Sequence, residues 1–156
     1  MPKKNINTLV KDIYNLFDDG SLTKKQLEKL PEHLNKFALE VCSQITLSLC
    51  EDRKFLYGHI LEELLLLLTR IADHSVEETQ KELNIEGVKG HQDAVIDGVL
   101  VDCKSASGKS FEKFKHNRLY EDDPFGYISQ LSSYVYAGKD DPLVTDKNRG
   151  AFLAVD

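Results

Sequence analysis

Cysteine is scarce in this chain: there are three among 156 residues, and no two are spaced as Cys-x-x-Cys. A secretory signal is also missing, because Pro2-Lys3-Lys4 leads into an amphipathic segment and not into an apolar run. The two absences together point to free thiols and a reducing cytoplasm. No apolar stretch is long enough to cross a membrane. The leucine run Leu64–Leu68 is far too short, is flanked by Glu62, Glu63 and Arg70, and reads as a buried core helix. Excess positive charge is lacking too. A net charge of −6 argues against a protein that coats nucleic acid, although local charge matters more than the total. There is no internal repeat and no low-complexity tract. The Gly108-Lys109-Ser110 triplet is no nucleotide-binding loop, since position 103, where such a loop needs its first glycine, is cysteine.

What the chain does have is a marked hairpin. Asp97-Gly98 lies between two apolar runs, Ala94-Val95-Ile96 and Val99-Leu100-Val101. Asp-Gly supplies the positive φ angles that a two-residue primed turn requires. Counting outward pairs Ile96 with Val99, Val95 with Leu100, Ala94 with Val101 and Asp93 with Asp102. Alternation then puts His91, Asp93 and Val95 on one face with Leu100, Asp102 and Lys104. Opposed residues have Cβ atoms roughly 4.5–5.5 Å apart, where like charges are destabilising. Two carboxylates so close share a proton or hold a cation, and oxygen-only ligation suits Mg²⁺ or Mn²⁺. An ion, two acids and a lysine make a site for hydrolysing phosphodiesters. The competing reading is a solvated hairpin face whose charges merely pair.

Around the hairpin, spacing predicts helices over Ile6–Phe17 (ended by Asp19-Gly20), Thr23–Leu30, Pro31 to about Leu49, and about Arg53 to Asp73. Cys42 and Cys50 fall in the helical pattern as core positions, and Cys103 alternates to the buried face opposite Asp102. Ser75-Val76-Glu77-Glu78 reads as a capping box opening a short helix to Leu83, followed by a short strand over Ile85–Val88. Residues 105–123 read as a long loop or lid. Asp123-Pro124 opens a helix to about Ala137, and Gly150–Val155 reads as a buried strand. The chain stops there, which reads as a truncated or fragmentary chain. From Lys104 to Arg118 five cations (Lys104, Lys109, Lys113, Lys115 and Arg118) face one acid, Glu112. That is a candidate phosphate-facing patch, with a solvated lysine-rich loop as the alternative.

Four short motifs follow one another in this order: Gly58-His59-Ile60-Leu61-Glu62, Gly90-His91-Gln92-Asp93, Asp102-Cys103-Lys104-Ser105 and Gln130-Leu131-Ser132-Ser133-Tyr134. They resemble the Gly-x-x-x-Glu, Gly-x-x-Asp, (Asp/Glu)-x-Lys-Ser and Gln-x-x-x-Tyr motifs of the PD-(D/E)XK nuclease superfamily. The likeness is to its RecB-like branch, the exonucleases of bacteriophages and of CRISPR-adaptation and recombination systems. It covers about Gly58–Val155; the first 50 residues match no family.

The resemblance implies an α/β (α+β) fold: a restriction-endonuclease-like core, with a small mixed sheet flanked by helices, over 51–156. Residues 1–50 form a helical N-terminal extension. It implies a metal-dependent deoxyribonuclease, most simply an exonuclease acting on DNA ends or single strands, in the cytoplasm of a host cell if phage-encoded. One or two Mg²⁺ or Mn²⁺ ions are implied, with Asp93, Asp102, Glu62, the Cys103 carbonyl and His59 as ligands. Lys104 is implied to position water and oppose charge on the phosphate, with Gln130 beside it. Tyr134, Ser105, Lys109, Lys113, Lys115 and Arg118 are the candidate DNA contacts. For Tyr134 a core aromatic is the alternative, and His91 and His116 read as ordinary polar residues. A structure-specific endonuclease on the same fold and a non-catalytic DNA-end-binding module remain open.

Overall fold

The computed structural model describes residues 4–18, 21–48 and 56–156. The Asp19-Gly20 helix stop, Leu49, Cys50 and Arg53 lie outside the described residues. The chain is mixed α+β and divides into two compact units, Met1–Ser75 and Val76–Asp156. The sequence boundary near residue 50 differs from this division because the helix beginning at Leu56 packs along the preceding long helix.

The first unit is helical. A 3₁₀ turn, Ile6–Thr8, is capped by Asn5, whose side chain accepts the Asn7 N–H at 2.9 Å. Helix α1 follows over Leu9–Asp18. Helix α2, Lys24–Ser48, opens with a reciprocal cap. The Thr23 N–H donates to Gln26 Oε1 at 2.8 Å, and the Gln26 N–H donates to Thr23 Oγ1 at 3.3 Å. Pro31 was expected to start a new helix, but α2 runs straight through it. Pro31 and Leu27 are both exposed, so the Leu27 carbonyl deprived of its N–H partner faces water, where the loss is mildest. Cys42, expected in the core, is also exposed.

Helix α3, Leu56–Ile71, buries Leu66 and Leu67 while Leu64 is 38% exposed, so the leucine run is core on one side only. Asp73 ends α3 at φ +64. Gln26 Nε2 donates to the Ile71 carbonyl at 2.8 Å, and His74 Nε2 meets Asp12 Oδ2 at 3.0 Å, which ties α1 and α2 to the end of α3. No described helix is long and apolar enough to cross a membrane.

The second unit begins with β1 (Val76–Glu77), β2 (Lys81–Ile85) and β3 (Val88–Gln92). The helix expected over Ser75–Leu83 is absent. Glu78 and Gln80 adopt φ +48 and +57, which break any helix, and Leu83 alone is buried between exposed Glu82 and Asn84, a strand alternation. Strands β2 and β3 form a two-stranded hairpin turning at Glu86-Gly87.

Strands β4 (Ala94–Ile96) and β5 (Val99–Ser105) pair antiparallel as Ala94↔Val101, Val95↔Leu100 and Ile96↔Val99, the register that Asp97-Gly98 dictates. Asp97 and Gly98 have φ +50 and +82, both positive as a primed turn needs. After β5 comes α4 (Lys109–Lys115), where a loop was expected; seven residues are too few for periodicity to reveal a helix. Helix α5 (Tyr127–Ala137) leads to β6 (Gly150–Val155), which lies parallel to β5 and completes a sheet of order β1-β4-β5-β6. Leu83 of the β2–β3 hairpin, Leu100 of β5 and Leu131 and Tyr134 of α5 form one core cluster, with Val135, Ala137 and Phe152 packed against it.

The hairpin turn is clasped from outside. The Gly98 carbonyl accepts N–H groups from Thr145 (2.8 Å) and Asp146 (3.1 Å), and a Cβ on Gly98 would stand 2.1 Å from Thr145 Oγ1. Gly98→Ala is therefore expected to cost about 1–3 kcal/mol, since strain at positive φ and the steric conflict add. Urea unfolding measures it; an unchanged midpoint would mean that the turn can adopt another form.

Candidate active site at the β4–β5 hairpin

The two strands deliver two acids and a lysine to one place. The ladder ends at Ala94↔Val101, and Asp93 lies just beyond it, between β3 and β4. The Asp93 carbonyl accepts the Gln80 N–H at 3.2 Å, and its carboxylate turns toward β5 to accept the Cys103 N–H at 2.5 Å. Asp93 is thus not a ladder partner of Asp102, as counting alone suggested, but its side chain still reaches that strand. Two residues apart on β5, Asp102 and Lys104 project to one side and form an ion pair at 2.7 Å. Asp102 is 2% exposed.

Burial and charge make this a strained set of acids. Desolvation, followed by the negative charge of Asp102, pushes Asp93 up to about 6, against which the Cys103 N–H works. Desolvation also raises Asp102, while Lys104 holds it back. Burial pulls on the Lys104 ammonium in the opposite direction, but the Asp102 ion pair and the field of Asp93 outweigh it and keep its pKa above the usual lysine value. Lys104 Nζ also stands 5.3 Å from the centre of the Tyr127 ring. Sequence reasoning missed Tyr127, although it precedes Gln130 by three residues on the same helical face.

Gln130 is exposed and donates to the Tyr134 hydroxyl at 3.0 Å; no bond from it to Lys104 is formed. Tyr134 is 9% exposed and belongs to the core cluster, so its ring face is not available to stack on a base. Gly90 packs directly on that ring: a Cβ there would lie 2.8 Å from Tyr134 Cε1 and 2.9 Å from the hydroxyl. The Gly90-x-x-Asp93 and Gln130-x-x-x-Tyr134 motifs therefore meet in space. His91 lies exposed on β3 opposite Glu82, in the other sheet, and does not join the acids.

His59 and Glu62 belong to the helical unit, where Nδ1 of one lies 3.7 Å from Oε2 of the other. Cys103 is half-buried and serves the site through its N–H. Ser105 is exposed at the end of β5.

The expected basic patch is largely neutralised. Lys113 bonds to the Asp122 carboxylate at 2.6 Å, Lys115 lies 3.6 Å from Glu112, and His116 meets the same glutamate at 2.9 Å. Lys109, Lys113 and Arg118 line an open cleft of about 660 Å³ together with Glu112, Glu121 and Asp122. The count over 104–118 overlooked acids just beyond it that fold into the same cleft.

A divalent cation fits the donor chemistry of Asp93 and Asp102. The Lys104 ammonium pairs with Asp102 and leaves Asp93 only partly compensated, so a second positive charge would relieve the penalty on Asp93. Among the described residues no three His, Cys, Asp or Glu side chains converge into a ready-made cage. Compared with known protein families, curated proteins and solved structures, the chain matches none.

The raised Asp93 makes a signed prediction for metal-free protein. Folding lifts its pKa from the ordinary 3.8 to about 6, so the native state binds the proton more tightly than the unfolded chain. This contribution to stability is full below about pH 4 and is lost as pH rises through about 6, for a total near 3 kcal/mol. Asp93→Asn is expected to raise the melting temperature at pH 8 in EDTA and to flatten the pH dependence between 4 and 7. Melting curves of both proteins across that range measure it; parallel curves would remove the strain from Asp93.

Proposed function

We propose that residues 76–156 form the catalytic unit of a metal-dependent DNA nuclease of the PD-(D/E)XK kind, cutting phosphodiester bonds with Mg²⁺ or Mn²⁺ at Asp93 and Asp102. The observation that carries this reading is the convergence of Asp93, Asp102 and Lys104 at one end of a hairpin otherwise built from apolar residues. Groups buried at such a cost are characteristic of functional sites. The element order within this unit supports it as well: strands, the acid-bearing β4–β5 hairpin, helices, then the parallel strand β6. So does the contact of Gly90 with Tyr134, which gives two of the motifs a shared structural purpose.

Asp93 and Asp102 would hold the cation through carboxylate oxygens. The bound ion supplies a Lewis acid for the phosphate and acidifies a water. The Lys104 ammonium, held beside Asp102, is suited to oppose negative charge developing on phosphate oxygens, which favours the transition state over the ground state. Cys103 fixes Asp93 through its N–H, so that the carboxylate does not have to be ordered when substrate binds. DNA as the polymer, and ends or single strands as the preferred form, rest on the motif resemblance.

End-labelled linear and covalently closed circular DNA, incubated with Mg²⁺, Mn²⁺ or EDTA, test the proposal. Loss of linear DNA in either metal but not in EDTA is expected, with closed circles spared. Lys104→Ala should slow the loss about 100-fold or more while leaving the fold intact by circular dichroism. Metal-dependent opening of circles would make the enzyme an endonuclease. No cleavage in either metal by folded protein would sink the nuclease reading.

A further inference from the structure

We propose that Tyr127 is a positioning residue: its ring, backed by an aromatic cluster, holds the Lys104 ammonium beside Asp102. The role rests on the reading of Asp93, Asp102 and Lys104 as a phosphodiester-cleaving site, whereas the contact itself does not.

Lysine is a point charge on a flexible four-carbon stem, and a single ion pair leaves that stem several ways to reach its partner. Lys104 has two constraints from different elements. Asp102 on its own strand lies 2.7 Å from Nζ, and the Tyr127 ring on α5 has its centre 5.3 Å from Nζ. A cation within about 6 Å of a ring centre is attracted to the face, most strongly where water is kept away. Lys104 meets that condition, with a side chain 19% exposed.

Tyr127 is itself packed among other aromatic rings. Its ring centre lies 5.4 Å from that of Phe125, 5.8 Å from Phe114 and 6.5 Å from Phe152. Phe152 is the register partner of Asp102 across the parallel β5–β6 pairing. The strand alignment that sets the acid therefore also sets the aromatic wall. Asp123 accepts the Tyr127 N–H at 3.0 Å and the Ile128 N–H at 2.8 Å, which fixes the start of α5. The phenol hydroxyl is not needed for this role; the ring is.

The test uses the full chain labelled with ¹³C-lysine, Lys104→Arg serving to assign the Lys104 ε-methylene signal. The Tyr127 ring current should displace that signal upfield in the wild type and in Tyr127→Phe, and Tyr127→Leu should return it to the position of exposed lysines. On linear DNA with Mg²⁺ or Mn²⁺, Tyr127→Leu should lower kcat about tenfold, with KM changed less than twofold, and Tyr127→Phe should stay within twofold of wild type. An undisplaced signal in the wild type, or one that Tyr127→Leu does not move, overturns the proposal. So does an unchanged kcat in a Tyr127→Leu protein that has lost the displacement. Should Tyr127→Leu fail to fold, Tyr127→Met, which keeps bulk without an aromatic ring, is read in its place for both the signal and kcat. A displaced signal in a protein that cuts no DNA would keep the contact and remove the nuclease reading, so the two failures are distinguishable.

Discussion

Two buried carboxylates lie in the field of one ammonium, which pairs with only one of them, and the architecture of the second unit answers that arrangement. Asp102 is 2% exposed, yet it sits on a strand whose first residues, Val99, Leu100 and Val101, are at most 3% exposed. A buried ion pair contributes little net stability, and a hydrophobic trio of similar volume is often better. The apolar hairpin supplies the burial that offsets the cost. Lys104 and the Cys103 N–H answer part of the charge, and the remainder appears as the raised Asp93. A fold that keeps such a group while surrounding it with apolar neighbours has accepted local instability in one place, the usual mark of a site under functional constraint.

The elements legible in the sequence were those governed by short-range rules. Asp97-Gly98 determined a turn, the turn determined the β4–β5 register, and the register put Asp102 and Lys104 on one side. Gly150–Val155 was legible as a strand because a short uncharged run bounded by polar residues has few other uses. The failures were local signals overruled by their surroundings. The Ser75–Glu78 pattern fits a helix cap, but the left-handed residues Glu78 and Gln80 turn the chain into strands instead. Pro31 fits a helix start, but the packing of α2 along α3 carries the helix past it on the solvent side.

For the candidate site, alternation foresaw which side chains lie near one another but not their partners. The acids and lysine sit together as expected, whereas Gln130 is turned to Tyr134 and Tyr134 is turned into the core. The basic loop shows the limit of counting charge along the chain, since Glu121 and Asp122 lie beyond the counted window and fold back among the cations. Tyr127 escaped notice because a tyrosine at a helix start carries no chemical signature until a lysine from another element is laid against it.

Gly90 packs against Tyr134 so closely that neither residue can change size without disturbing the other. Its constraint is space and not backbone angle, since any side chain at 90 would strike the ring at 2.8 Å. A larger residue at 90 fits only with a smaller one at 134, and a smaller 134 would open a void in the core and remove the hydroxyl that Gln130 bonds. The contact is a spacer of fixed size, holding the strand that leads to Asp93 against the helix that carries Gln130.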